Sequence, residues 1–208
     1  MGFYAIFIDA SQRPCVVFGG GAVAQRRIEG LLAAGAIVTV VSPVLTGALM
    51  ELVAQGALQH IARAYEAGDL AGYNLAFVAT DNREVNQAIL SEARLRGVWI
   101  NSADDPGNCD FILPGVVRRG ELSIAISTGG ASPALTRAIR EELDTYFTAD
   151  YARLVQIAGA VREKLREKSL TVGADAWNQA LKGEFRRLVN ENRDEQAKAL
   201  LLKTLGAD

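Results

Sequence analysis

Cys15-Val16-Val17-Phe18-Gly19-Gly20-Gly21-Ala22-Val23-Ala24 is the stretch that decides the fold. Cys15 to Phe18 reads as a buried strand, and the glycines follow at once. A helical spacing comes next, with apolar positions at Ile28, Leu31 and Leu32. Gly19-x-Gly21-x-x-Ala24 thus sits at a strand-to-helix turn, the context a dinucleotide-binding fingerprint requires. Gly19 suits the tight turn, Gly21 lets backbone approach a pyrophosphate, and Ala24 lets the helix pack close to the strand. The helix N-terminus then offers free N–H groups and the positive end of a dipole to the phosphates. Glycine-rich turns also exist simply to turn, so the flanking pattern has to carry the argument.

That pattern alternates. Phe3 to Ile8 reads as a short strand before the turn Asp9 to Pro14. A helix over Ala22 to Ala34 stops at Gly35, and Ala36 to Val41 is a strongly apolar strand. Val44 to Gln55 reads as a helix, Leu58 to Arg63 and Leu75 to Ala79 as strands, Asn82 to Leu95 as a helix and Val98 to Asn101 as a strand. Such alternation predicts an α/β fold, a Rossmann-type doubly wound parallel sheet with helices on both faces. The pattern changes afterwards. Phe111 to Val117 and Glu121 to Ser127 read as strands of a hairpin turned at Arg118-Arg119-Gly120. A helix follows, with Ser132 as N-cap and Pro133 in its first turn. From Ala134 to Leu205 the pattern is helical, punctuated by Gly173, Gly183 and the stretch Asn190 to Asp194. The expected division is a sheet domain over residues 1–112, a central strand–strand–helix unit over 113–147 and a small helical C-terminal domain over 148–208.

Composition narrows the function classes. The chain has 208 residues, a net charge of -2 and 22 % charged residues, so no general nucleic-acid affinity is implied. Cys15 and Cys109 are the two cysteines and His60 the single histidine, which argues against an ordinary structural zinc site and for a reducing, cytoplasmic setting. The opening MGFYAIFIDASQR lacks the basic start and long apolar core of a secretion signal. No uninterrupted apolar run reaches the roughly 18 residues of a membrane span.

Candidate chemistry gathers at the expected carboxyl ends of the strands. The second strand of such sheets usually ends in an acid that binds a ribose hydroxyl. Here it ends in Ser42-Pro43, so NAD and NADP both stay open, and Ser42 is a candidate contact for the adenosine ribose. Thr80-Asp81 lies at another strand end, with Asp81 either facing a ligand or capping the next helix. Asn101 to Phe111 carries Asp104, Asp105 and Asp110. A carboxylate there suits proton transfer, and neighbouring acids are expected to raise one pKa. The same residues also fit an ordinary Asp-Pro-Gly-Asn turn. Ser127-Thr128-Gly129-Gly130-Ala131-Ser132-Pro133 enters a helix bearing Arg137 and Arg140, a plausible anion site or a capped helix with solvated arginines. His60, Trp99 and Trp177 read as structural residues.

Taken together these segments resemble the precorrin-2 dehydrogenase / sirohydrochlorin ferrochelatase family, the first half of bifunctional siroheme synthases. The resemblance runs over about residues 3 to 145 through Cys15 to Arg26, Val38 to Pro43, Ala79-Thr80-Asp81 with Asn86, Asn101 to Pro106, Cys109 to Pro114, and Ser127 to Leu135 with Arg137. It implies NAD as cofactor and oxidation of the small-molecule tetrapyrrole precorrin-2 to sirohydrochlorin. Insertion of ferrous iron, as substrate rather than bound cofactor, is a second activity of part of the family, and the residues leave it open. The family's key aspartate falls on Asp104, as general base. Cofactor contacts carry over to Gly19, Gly21, Ala22, Val23, Ser42, Pro43 and Val44, with Thr80 and Asp81 as further candidates. Ser127, Thr128, Gly129, Ser132, Arg137 and Arg140 are the candidates for holding substrate carboxylates. Some relatives are phosphorylated on a serine of this loop, and the aligned position here is Thr128. The family forms homodimers through its central region. No membrane or nucleic-acid partner is implied. The chain ends at Asp208, so uroporphyrinogen methylation upstream is expected from a separate protein. The rival from another class is an NAD(H)-sensing Rossmann regulatory module without catalysis. It would need the glycine loop but neither the Asp104 segment nor the loop ending at Pro133.

Overall fold

The computed structural model describes residues 2–207. The chain divides into two compact units, Met1–Leu113 and Pro114–Asp208.

The first unit is a five-stranded parallel sheet in the order β3-β2-β1-β4-β5. β1 is Pro14–Phe18, β2 Ile37–Val41, β3 Gln59–Ile61, β4 Leu75–Val78 and β5 Trp99–Ser102. Helices α1 (Ala22–Ala33), α2 (Gly47–Ala54) and α3 (Arg83–Arg96) make crossovers. Side chains of a strand alternate between faces, and β1 is apolar on both. Cys15 and Val17 pack with Ala24, Ile28 and Leu31 of α1 and Leu49 of α2. Val16 and Phe18 pack with Ile89, Leu90 and Ala93 of α3. Full burial of each such side chain contributes about 1.5–3 kcal/mol, so the double-faced strand anchors the unit. The chain winds outward from β1 to β3, then restarts at β4 on the other side. Phe18 pairs with Val41 on one side and Val78 on the other. The loops after β1, β2 and β4 therefore emerge together at the switch point, where ligands bind in such sheets.

The second unit begins with a hairpin of β6 (Gly115–Arg119) and β7 (Leu122–Ile126). Arg119 pairs with Leu122, leaving the two-residue turn Gly120-Glu121. Gly120 has φ +56°, which the first central position of a II′ turn needs. Helix α4 (Pro133–Tyr146) follows, with Ser132 Oγ accepting from Leu135 N at 3.1 Å and Pro133 in the first turn. Helices α5 (Asp150–Glu167), α6 (Ala174–Ala180), α7 (Glu184–Asn190) and α8 (Asp194–Thr204) build a separate core around Val161, Phe185, Val189 and Leu201.

Several expectations need correction. Phe3 to Ile8 is not a strand and makes no backbone hydrogen bond among the described residues. β1 already has β2 and β4 on its two sides, so the segment's strand-forming residues find no free edge beside it. The second helix starts at Gly47 rather than Val44, because Val44 O and Thr46 are both tied into the loop before it. The strand expected from Phe111 starts at Gly115. Before it, Asp110 and Phe111 are held against β5 by Asp110 N to Ile100 O at 2.9 Å and Asn101 Nδ2 to Phe111 O at 2.9 Å. Trp99 opens edge strand β5 and is 48 % exposed, so it is not a core residue. The helical tail also breaks between Tyr146 and Asp150, which the periodicity did not signal. No helix among the described residues is long and apolar enough to cross a membrane.

Candidate functional site

A cavity of about 710 Å³ opens at the switch point, within the range of small-molecule sites. Gly19, Gly21, Ala22 and Val23 line it from the first loop, Ser42, Pro43 and Val44 from the second, and Thr80 and Asp81 from the third. All the residues read as cofactor contacts therefore converge on one space. The residues fit a dinucleotide. The N-terminus of α1 has no side-chain cap and no acid in its first turn, so its free N–H groups and dipole are left for an anion. A Cβ on Gly21 would meet nothing within 4 Å, which leaves room for a ligand against the backbone.

Gly20, to which the fingerprint assigned no role, is the tightest of the three glycines. A methyl group there would overlap Val44 O and stand 2.9 Å from Ser42 Oγ. Gly20 O also accepts from Thr46 N at 3.0 Å, which locks the first loop to the second. Gly19 adopts φ +109° with the Ala79 carbonyl where a side chain would be. Three consecutive glycines were the available signal.

Ser42 is tied into its own loop. It is buried, and its Oγ donates to Val44 O at 2.7 Å. The hydroxyl hydrogen is committed to its own loop, and the residue lines the cavity. His60 Nε2 lies 2.9 Å from Ser42 O and secures the same loop, a structural role. The helix cap expected at Asp81 belongs to Asn82, whose Oδ1 accepts from Glu84 N and Val85 N. Asp81 is left exposed in the cavity wall. Tyr65, which the sequence did not single out, completes that wall. Its ring meets Phe18 edge-on at 5.5 Å, and its hydroxyl donates to Glu92 at 2.6 Å. Burial first, then the Glu92 carboxylate, pushes the phenol well above its usual range.

The three carboxylates after β5 have separate tasks. Asp110 Oδ2 accepts from Ile100 N at 2.9 Å at the sheet edge. Asp105 Oδ2 accepts from Asn108 Nδ2 at 2.8 Å and braces the short turn Pro106–Asn108. Asp104 is exposed and accepts on both oxygens, from Ser102 Oγ at 2.6 Å and from Asn86 Nδ2 at 3.1 Å. The Ser102 hydroxyl foremost, with Asn86 and the charge of Arg83, holds the Asp104 carboxyl below the usual range. The expected upward shift from neighbouring acids is therefore wrong for this residue. Donors to the ionised form outweigh the opposing cost of desolvation. Asn86 was missed as a site residue. The signal was a polar residue on the buried stripe Asn86, Ile89, Leu90, Ala93 of α3.

Asp104 does not line the cavity itself. The loop read as an anion site lies in the second unit. Its hydroxyls serve the loop first: Ser127 Oγ accepts from Gly129 N at 3.0 Å, and Thr128 Oγ1 accepts from Ser132 N at 3.0 Å. Gly129 and Gly130 have φ +64° and +88°, a bend that other residues rarely adopt. Arg137 is exposed, and Arg140 stands 3.7 Å from Glu141. Among the described residues, no group of three or more His, Cys, Asp or Glu is placed to hold a metal ion.

Sheet order, glycine loop and cavity define a nucleotide-binding α/β protein. Residues 6–115 match a family model described as putative NAD(P)-binding, and residues 119–145 one described as sirohaem biosynthesis protein central. The chain is similar to siroheme synthase from Nitrosospira multiformis, 39 % identical over 211 residues, 99 % of this chain and 45 % of the relative. Siroheme synthase from Methylococcus capsulatus is 35 % identical over 209 residues, 100 % of this chain and 44 % of the relative. The chain thus spans less than half the length of these curated relatives. It also resembles the solved structure of SirC, precorrin-2 dehydrogenase, with a TM-score of 0.77 and 30 % identity over 95 % of this chain and 99 % of that one. The chain belongs to the family of NAD(P)-binding proteins that includes SirC.

Proposed function

We propose that the chain is an NAD-dependent precorrin-2 dehydrogenase of siroheme biosynthesis. The observation that carries this reading is the convergence of three loops on one cavity whose Thr80 wall is hydrogen-bonded, through Asn86, to Asp104. Gly19, Gly21, Ala22 and Val23 hold the pyrophosphate, while Ser42, Pro43 and Val44 border the adenosine end. Thr80 and Asp81 border the nicotinamide side. Bound NAD⁺ supplies a hydride acceptor, and the substrate loses one hydride and one proton. Asp104 takes the proton. Its lowered pKa keeps it in the basic form at neutral pH, and its exposure lets it pass the proton to water.

Ser127, Thr128, Gly129, Ser132, Arg137 and Arg140 hold carboxylates of the tetrapyrrole. Residues 1–112 form the NAD domain, 113–147 the dimerisation and substrate-loop region and 148–208 the helical domain of a cytoplasmic homodimer. Helix α4 supports the dimer, since it buries none of its residues within the chain. A uroporphyrinogen methyltransferase supplies the methylated substrate upstream. If ferrous iron insertion into sirohydrochlorin is a second activity, Asp104 is the residue that receives protons displaced from the ring nitrogens.

Anaerobic turnover of precorrin-2 with NAD⁺, followed by ferrous iron and tracked by absorbance, tests both activities. Sirohydrochlorin formation with accelerated metal insertion supports the bifunctional reading, and dehydrogenation alone removes the chelatase. Tight NAD(H) binding without turnover sinks the enzyme in favour of a sensor. Asp104→Asn is expected to lower dehydrogenase turnover about 10²–10⁴-fold. Full turnover in Asp104→Asn with loss in Asp105→Asn would remove Asp104 from its role.

A further inference from the structure

Asn86 is a buried amide with every polar atom committed. It is 3 % exposed on α3. Its Oδ1 accepts from Thr80 Oγ1 at 2.5 Å, and its Nδ2 donates to Thr80 O at 3.0 Å and to Asp104 Oδ2 at 3.1 Å. Thr80 lines the cavity, and Asp104 does not. One side chain therefore touches both.

We infer that Asn86 is a positioning residue that couples the nucleotide cavity to Asp104, so that filling the cavity and charging the carboxylate influence each other. The inference rests on the proposed reading of the cavity as the NAD site. An amide offers two donor hydrogens on one nitrogen in a fixed plane. If a ligand draws the Thr80 carbonyl or hydroxyl, the amide plane turns and the bond to Asp104 lengthens or shortens with it. The bond to Asp104 stabilises its ionised form, so its proton affinity follows. Linkage then demands the converse: the charge on Asp104 changes nucleotide affinity by the same factor. Ser102 is the control within the structure. Its hydroxyl donates to the other oxygen of Asp104, and it does not line the cavity. Arg83 on α3, whose charge is felt at Asp104, stays the same in all variants.

The test is carboxyl ¹³C NMR titration of Asp104 with and without NAD⁺, beside NAD⁺ affinity by calorimetry, in wild type, Asn86→Ala and Ser102→Ala. In wild type the Asp104 midpoint moves when NAD⁺ binds. In Asn86→Ala the midpoint rises and no longer responds to NAD⁺, and affinity falls about threefold to tenfold. In Ser102→Ala the midpoint also rises, but the response and the affinity stay. Should Asn86→Ala fail to fold, Asn86→Ser keeps a short polar group without the reach to Asp104 and carries the same expectation. A response that survives in the Asn86 variant overturns the coupling, as does one abolished equally in Ser102→Ala. Absence of NAD⁺ binding in wild type instead overturns the reading of the cavity, and the coupling with it.

Discussion

Gly20 and Gly21 are neighbours with opposite constraints. Around Gly20 the Val44 carbonyl, Leu45 Cδ2 at 2.8 Å and Ser42 Oγ at 2.9 Å leave no volume for a methyl group. Around Gly21 the space is open. Gly20→Ala is therefore expected to cost about 1–3 kcal/mol, as overpacking does, and to lower the melting temperature. Gly21→Ala is expected to leave the melting temperature in place and weaken NAD⁺ binding about tenfold, or ~1.4 kcal/mol. Calorimetric melts and NAD⁺ titrations of the two variants check this, and the reverse pattern would refute the cavity assignment. Cys15 gives a residue-scale pH effect. Burial raises its thiol from the ordinary 9.0 to about 11. Its folded pKa is thus above its unfolded one, so its contribution is fully present below about 9 and lost as pH rises towards about 11. Urea midpoints should fall over that window, and Cys15→Ala should fall less.

Elements were legible in the sequence where a local rule acts alone. β1 and α1 follow from an apolar run, a glycine turn and a 3.6-residue stripe. The start of α4 follows from Ser132-Pro133, since both residues act within one turn. The details that shape the site come from across the chain. The loop at Ser42 is held by His60, whose Nε2 lies against the Ser42 carbonyl from a neighbouring strand. Asp104 also accepts a hydrogen bond from Asn86, on a helix 18 positions earlier. Glu92 on α3 gathers Tyr65 and Gly68 from the loop after β3. None of these pairs has a spacing that periodicity can read. Phe3 to Ile8 failed for the opposite reason: its composition favours a strand, but β1, the strand it leads into, is already paired on both sides. At this scale the cap of α3 is a clean target. Asn82 satisfies two orphan N–H groups at the helix start. Asn82→Ala is expected to cost about 1 kcal/mol in equilibrium unfolding, whereas Asp81→Ala, which caps nothing, should be close to neutral in stability.

At the scale of the whole molecule, the chain carries separate hydrophobic cores in its two units. The sheet unit is centred on β1 and the helical one on Phe185, Val161 and Leu201. Every residue lining the nucleotide cavity belongs to Met1–Leu113. Phe185 is 1 % exposed, and Phe185→Ala removes a ring from a close-packed interior at a cost of about 3–5 kcal/mol. Domains of this size are stable by only about 5–15 kcal/mol, so the loss falls heavily on the helical unit. If the two cores fold as independent units, Phe185→Ala should lower or remove one calorimetric transition and leave the other in place. NAD⁺ affinity, set by residues of the first unit, should stay within about twofold of wild type, below the ~1.4 kcal/mol that marks a tenfold change. Precorrin-2 turnover should fall if the helical unit helps to hold the substrate. A single transition that shifts as a whole, together with lost NAD⁺ binding, would mean that the two cores are thermodynamically one.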